Sequence, residues 1–348
     1  MGRRVLVTGL GSFWGGRVAE ALERDPDVEV IVGVDTNEPR VPLERTEFVR
    51  ADHSYSILAR IVKATQIDTI LHTFLALDST RMIGRRLHET NVIGTMNLLA
   101  AAGASDSSVR QVVVKSSGLV YGSTYQDPVW FREDTPRTRA PRTRVERSLL
   151  EVESYLHDFA EDNPHVTITL LRFSNVLGTD IVTPLSQALD LPLVPVILGY
   201  DPLFQFVEED DVVRCIEFVM RNQVPGIYNV AGDGRLPWSE VAAICGKRTF
   251  PLPPVLTGWA AAPLGRLGIC ELPRETLDLL RYGRGLDNRR LQRAGFRYRY
   301  TSAGAVENFA RASRLRKTVG QSRPAYKYER DVESFFRHSP AVVRSTEQ

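Results

Sequence analysis

Cysteine is scarce in this chain: three in 348 residues, Cys215, Cys245 and Cys270, far apart and without Cys-x-x-Cys or metal-ligand spacing. That excludes a disulfide framework and a cysteine zinc site, and it points to free thiols in a reducing compartment. Histidine is sparse too. The six, His53, His72, His88, His157, His165 and His338, form no helical pair with an acid at ligand spacing, so no metal is expected. No apolar run approaches the about 20 residues of a membrane-spanning helix. Val5–Thr8, behind the basic Arg3 and Arg4, is too short for a secretory signal. Neither sign of charge dominates: 44 Lys and Arg against 42 Asp and Glu leave a formal +2, which argues against nucleic acid and against a membrane surface. The basic run Arg137-Thr-Arg-Ala-Pro-Arg-Thr-Arg144 lacks interleaved aromatics and reads as a solvated or phosphate-gripping loop. Internal repeats and low-complexity tracts are absent. A cytoplasmic globular chain is the expectation, and 43% apolar with 25% charged residues is ordinary for one.

What is present is an alternation. Short runs rich in Val, Ile and Leu, without polar alternation, stand at Val5–Thr8, Val28–Asp35, Thr69–Phe74, Gln111–Ser116 and Thr167–Phe173. Helical apolar spacing fills Gly15–Arg24, Ser56–Thr65, Leu87–Ala102 and Arg147–Glu161 between them. Strand and helix in turn predict βαβ crossovers and a doubly wound parallel sheet, an α/β fold with a smaller C-terminal cap. The expected division is a dinucleotide-binding Rossmann domain over 1–178, then mainly a substrate-binding cap over 179–319. Segments around 205–230 return to the first domain, with a helix at Asp210–Val219 and a strand at Gly226–Val230. Residues 320–348 are expected to be a partly mobile extension. The acidic run Glu208-Glu-Asp-Asp211 reads as a helix N-terminus.

Chemistry concentrates after the first strand. Gly9, Gly11, Gly15 and Gly16 crowd the turn that also holds Ser12, Phe13 and Trp14. A dinucleotide needs glycine where the backbone turns sharply, where it nears the pyrophosphate and where helix meets strand. Helix-start amides then hold the phosphates. Asp35 ends the second strand, where its carboxylate can accept from a ribose diol and would repel a 2′-phosphate. NAD is therefore favoured over NADP, with Arg40 and Arg45 nearby as the counter-argument.

These motifs resemble the extended short-chain dehydrogenase/reductases, in particular the NAD-dependent epimerase/dehydratase family, over roughly residues 3–312. The Lys-Ser-Ser-x-x-Val-Tyr-Gly-Ser wording is similar to an actinobacterial, UDP-glucose 4-epimerase-like branch. Thr8, Gly9 and Gly15 match the family's opening loop, with Ser12 in place of its middle glycine. Ala51-Asp52, followed by His53, stands where the family contacts adenine. Asn91-Val-Ile-Gly-Thr-Met-Asn-Leu-Leu99 matches a family helix. Ser116-Ser-Gly-Leu-Val-Tyr-Gly122 matches the family's active-site run, so the resemblance places the reacting hydroxyl at Ser117. Arg172-Phe173-Ser-Asn175-Val-Leu-Gly178 is similar to the run whose asparagine lines the substrate pocket. The resemblance implies NAD as cofactor and a small-molecule substrate of nucleotide-sugar type. A second copy of the chain is the expected partner, with no nucleic acid and no membrane.

The departures concern catalysis. The family's tyrosine removes a hydroxyl proton, and a lysine four residues on lowers its pKa. Counting back from the family's later glutamate, placed at Glu151, puts Thr143 and Arg147 at these positions. A threonine hydroxyl is too weak an acid for that role, and an arginine exchanges no protons near neutrality. Tyr121 or Tyr125 would have to replace the phenol. Phe74 and Leu75 put bulk where the family runs small residues past the dinucleotide, and Leu203, Phe204 and Gln205 replace an expected basic residue. Two functions stay open: an NAD-dependent epimerase, dehydratase or reductase, and a catalytically degenerate sensor or scaffold that keeps the dinucleotide or metabolite site.

Overall fold

The computed structural model describes residues 2–77, 84–254, 272–319, 336 and 339–343. Seven parallel strands form its central sheet: β1 Arg3–Thr8, β2 Val28–Asp35, β3 Thr46–Arg50, β4 Thr69–His72, β5 Gln111–Ser117, β6 Thr167–Phe173 and β7 Gly226–Val230. Their order is 7-6-5-4-1-2-3. The direction of progression reverses between β1 and β4, and there the strand ends open a crevice.

Alternation along each strand sorts the core into two layers. Val5, Val7, Ile31, Val113 and Leu171 face the helices α1 Phe13–Glu23 and α5 Glu209–Asn222. Leu6, Val32, Ile70, Val112 and Val114 face α2 Tyr55–Ala64, α3 Gly94–Ala102 and α4 Arg144–Asp162. Both faces are dry, which is why these strands carry no polar alternation.

Differences from the sequence reading have local causes. The strand read through Phe74 stops at His72, because Thr73 turns its hydroxyl onto the Thr8 carbonyl at 2.8 Å. The edge strand β3 has no counterpart there, since half-buried Glu47 and exposed Arg50 break its apolar run. The helix read over Leu87–Ala102 is a short α-turn at Gly84–His88, a π-turn at Glu89–Ile93 and then α3. Helix α4 begins at Arg144, three residues earlier than read, because Thr143 caps it.

After β6 the chain pairs Asn175–Leu177 with Phe206–Glu208 in parallel and returns to the sheet as β7. A third apolar cluster lies under the segments between and beyond, around Trp238, Phe204, Phe206, Leu189, Leu279 and Phe309. The acidic run opens α5. Glu208 accepts from the Asp210 amide at 2.6 Å, Glu209 collects the Thr179 and Ile181 amides at 2.8 and 2.9 Å, and Asp211 collects those of Arg299 and Tyr300. Among the described residues there is no cluster of three metal-ligating side chains and no helix long and apolar enough to cross a membrane. Cys215 and Cys245 are buried free thiols, and burial pushes the second up to about 11. Cys270 and most of the extension read as mobile, 320–335, 337–338 and 344–348, lie outside the described residues. The described end is docked: the Ala341 carbonyl accepts from Arg4 at 2.8 Å, and the Val343 amide donates to Ala64 at 2.6 Å.

Candidate functional site

The turn after β1 is built for glycine. Gly9 has φ +76, and a Cβ there would lie 2.5 Å from that of Phe74. A Cβ on Gly11 would meet the Asn37 carbonyl oxygen at 2.5 Å, and one on Gly15 the Gly9 carbonyl oxygen at 2.1 Å. Ser12 caps α1, its Oγ accepting from the Gly15 amide at 3.1 Å. Asp35 accepts from the Gly11 amide at 3.1 Å and from the Asn37 amide at 2.9 Å, so its carboxylate is held at the mouth of the turn.

From this turn a groove of 710 Å³ runs along the strand ends to residues 181–185 and 273–284. Ser12, Phe13, Trp14, Asp35, His53, Phe74, Leu75, Ser117, Phe173 and Asn175 all line it. Phe74 and Leu75 make its wall and leave its length open. The Phe74 ring lies against His53, tilted by 32° with centroids 3.9 Å apart, and abuts Gly94, where a Cβ would lie 2.9 Å from Cζ. Burial lowers the pKa of His53, and its Nε2 is buried without a partner among the described residues. Of the two arginines weighed near Asp35, Arg40 lines the groove. Arg45 instead donates to the carbonyls of Glu23 (2.6 Å) and Val28.

Other expected residues stand outside the lining. Gly9 and Gly15 shape the turn from beneath. Asp52 is exposed and accepts from the Ser54 amide at 3.2 Å. Asn91 clamps the loop after β4, with its Oδ1 on the Ala76 amide (2.8 Å) and its Nδ2 on the Ala76 carbonyl and Ser148 Oγ (3.0 and 3.1 Å). Ser116 points to the opposite sheet face and donates to Glu153 at 2.9 Å. Glu153 pairs with Arg172 at 2.6 Å, and Arg172 donates to the Tyr121 hydroxyl at 2.7 Å. That hydroxyl donates to Asn229 at 2.8 Å, and burial pushes it up to about 12. Tyr121 thus belongs to a buried network behind the sheet that runs on through Asn229 to the Phe131 carbonyl, and Tyr125 is 71% exposed.

Thr143 and Arg147 do not reach the groove either. The Thr143 Oγ1 accepts from the Glu146 amide at 3.2 Å as the N-cap of α4, and Arg147 is exposed. Glu151, used as the reference for counting, stands at the surface beside His88 at 3.3 Å. Glu153 is the glutamate that faces the sheet.

Lys115, Ser174 and Arg284 are among the lining residues that the sequence reading did not place at a site. Lys115 shares its strand face with Ser117, two residues on. Its amine lies over the Trp14 and Phe173 rings at 5.3 and 5.8 Å, and burial lowers it to about 8. A charge inside Val-Val-Val-Lys-Ser-Ser was the legible signal. Ser174 Oγ is buried without a partner among the described residues. Arg284 arrives from just after the helix Arg274–Tyr282; its Nε would lie 3.4 Å from a Cβ on Gly118, and it donates to the Gly122 carbonyl at 3.2 Å. No local pattern marks it.

Over residues 5–231 the chain matches the NAD dependent epimerase/dehydratase family, and it belongs to that family. An uncharacterized protein of Mycobacterium tuberculosis is 33% identical over 326 residues, 92% of this chain and 86% of that protein. A UDP-glucose 4-epimerase of Erwinia amylovora is 30% identical over 189 residues, 50% of this chain and 53% of its own length. Among solved structures, a dTDP-glucose 4,6-dehydratase of Streptomyces venezuelae, with NAD bound, superposes with a TM-score of 0.69. Its identity is 23%, covering 90% of this chain and 98% of that one, so it shares the fold.

The cofactor of the family is NAD, and the residues here fit it. The glycine turn leaves room for backbone approach, the α1 N-terminus offers amides to phosphate, Asp35 suits a ribose diol, and His53 Nε2 stands without a partner beside it.

Proposed function

We propose that this groove holds NAD and that the chain oxidises or reduces a hydroxyl or keto carbon of a nucleotide-sugar, or a similarly polar small molecule, at Ser117. Continuity carries the reading: one groove joins Asp35 and the glycine turn to Ser117 and Asn175, and then to Thr183 and Thr276 of the cap segments. NAD supplies the hydride acceptor or donor. Asp35 orients its adenosine end. Ser117 Oγ accepts from the Leu119 amide at 3.2 Å and so keeps its proton for a substrate oxygen. Asn175 donates its Nδ2 to the Gln205 carbonyl at 3.0 Å, which leaves Oδ1 for the substrate. In this reading 1–178 is the cofactor domain and 179–319 mainly the substrate cap.

The second reading, a sensor or scaffold without turnover, has its own support. No tyrosine is among the described residues that line the groove. Counting back from the sheet-facing Glu153 moves the relay positions to Val145 and Leu149, both fully buried and apolar. One experiment separates the two. Protein is denatured and assayed for released NAD, and the native protein is given sugar nucleotides while reduced nicotinamide is followed by absorbance. Bound NAD that is reduced supports the oxidoreductase. Bound NAD that no sugar nucleotide reduces, with no epimerised product, makes the sensor reading the better one.

A further inference from the structure

We infer that the Ser117 end of the groove is an anion subsite, in which Lys115 and Arg284 receive an anionic oxygen group of the ligand, a carboxylate or a phosphate. The inference deepens the proposed function and rests on the nucleotide-sugar reading for its first probes. Both side chains line the cavity and both are nearly sequestered, at 2% and 6% exposure. Neither has a carboxylate partner among the described residues. Among the described residues the amine of Lys115 meets the Trp14 and Phe173 ring faces, and the one hydrogen bond of Arg284 goes to a neutral carbonyl. Glu146, the carboxylate whose field Arg284 feels most, is already held by Arg137 and by the Arg142 amide at 3.1 Å. At the other end of the groove, Asp35 is occupied by two backbone amides.

Two buried cations without counter-charge are costly, and proteins keep such groups paired or give them an anion to bind. Burial lowers both groups, Lys115 to about 8 and Arg284 to about 10, which still leaves both charged at neutral pH. Their placement also selects where the anion sits. Lys115 is two residues before Ser117 on the same strand face, and Arg284 lies against Gly118, directly after it. Ser174 Oγ, buried and without a partner among the described residues, adds a donor to the same wall. A guanidinium with free N–H groups matches the two oxygens of a carboxylate or phosphate, and an ammonium over aromatic faces supplies point charge beside it. The substrate class this favours is a sugar bearing an acid group close to the reacting carbon.

The test is calorimetric binding of UDP-glucuronic acid, UDP-glucose and UDP to the full chain with saturating NAD, in wild type, Arg284→Gln and Lys115→Met. The expected result is about tenfold tighter binding of UDP-glucuronic acid than of UDP-glucose, lost in either variant, as removal of a charged hydrogen bond should give. Arg284→Lys, which keeps the charge, should recover part of it. If both sugar nucleotides and UDP instead weaken together about tenfold in the variants, the anion is the diphosphate and the subsite stands. Unchanged affinities in both variants overturn the subsite and leave the nucleotide-sugar reading intact. Should no nucleotide bind the wild type, that reading fails, and inorganic phosphate and D-glucuronate decide the subsite. A rise in melting temperature in wild type but not in the double variant supports it, and equal behaviour overturns it. Circular dichroism of each variant shows whether it has folded; if Arg284→Gln does not fold, Lys115→Met carries the comparison.

Discussion

Thr143 shows how a residue can stand near a family position and do other work. Its Oγ1 closes the first turn of α4, so Thr143→Ala should cost about 1 kcal/mol of stability in urea unfolding and leave NAD affinity unchanged. Asp35 is proposed for the opposite kind of role, since its carboxylate lines the groove at the glycine turn. NAD should bind more tightly than NADP by roughly 1–3 kcal/mol, and Asp35→Ser should shrink that gap in calorimetry. Lys115 couples stability to function. In the unfolded chain its amine keeps the ordinary value of 10.5, while in the folded chain burial holds it at about 8. Between those values the unfolded state binds the extra proton, so stability rises with pH across that window, and below about 8 the full burial penalty is present. Lys115→Met removes the penalty. It should stabilise the protein at pH 7 by up to about 3 kcal/mol and flatten the rise, as read from urea midpoints at neutral and alkaline pH. A variant no more stable than wild type at neutral pH would mean that the amine is not held as a buried charge.

At the scale of elements, α4 is tied to the sheet by polar side chains as well as by its apolar stripe. Ser116, Glu153, Arg172 and Tyr121 form one buried chain of hydrogen bonds from β5 to α4 to β6. Glu153→Gln leaves a buried guanidinium without its counter-charge, and a loss of roughly 3–5 kcal/mol is expected in thermal unfolding. The strands were the most legible elements, because a strand buried on both faces shows as an unbroken apolar run. Edge strand β3 was not, since one side of it meets solvent. The start of α4 was missed for a different reason: its first turn carries Arg144 and Arg147 outward, and a cap reads in sequence like any threonine. Counting along the helix is equally sensitive. A two-residue offset along a helix turns a side chain by about 200°, which is the difference between Glu151 at the surface and Glu153 against the sheet.

At the scale of the molecule, the groove exists because the strand order reverses between β1 and β4 and because residues 181–185 and 273–284 line it at that point. Ile93, Met96 and Tyr155 are exposed on neighbouring helical segments of one sheet face, and a dimer through that face is the expected mass in light scattering. A monomer at all concentrations tested would remove the second copy from the list of partners. The sequence by itself determined the sheet, the glycine turn after β1 and the acid that ends β2. These are local: a glycine turn, an apolar run and the acid that ends it are contiguous, and hard-sphere contact decides what fits. Only the tertiary structure decided which polar groups share the groove. Whether Ser116 or Ser117 faces it depends on strand parity, whether Tyr121 reaches it depends on the network behind the sheet, and Arg284 reaches it from more than 160 residues further along the chain through tertiary packing alone.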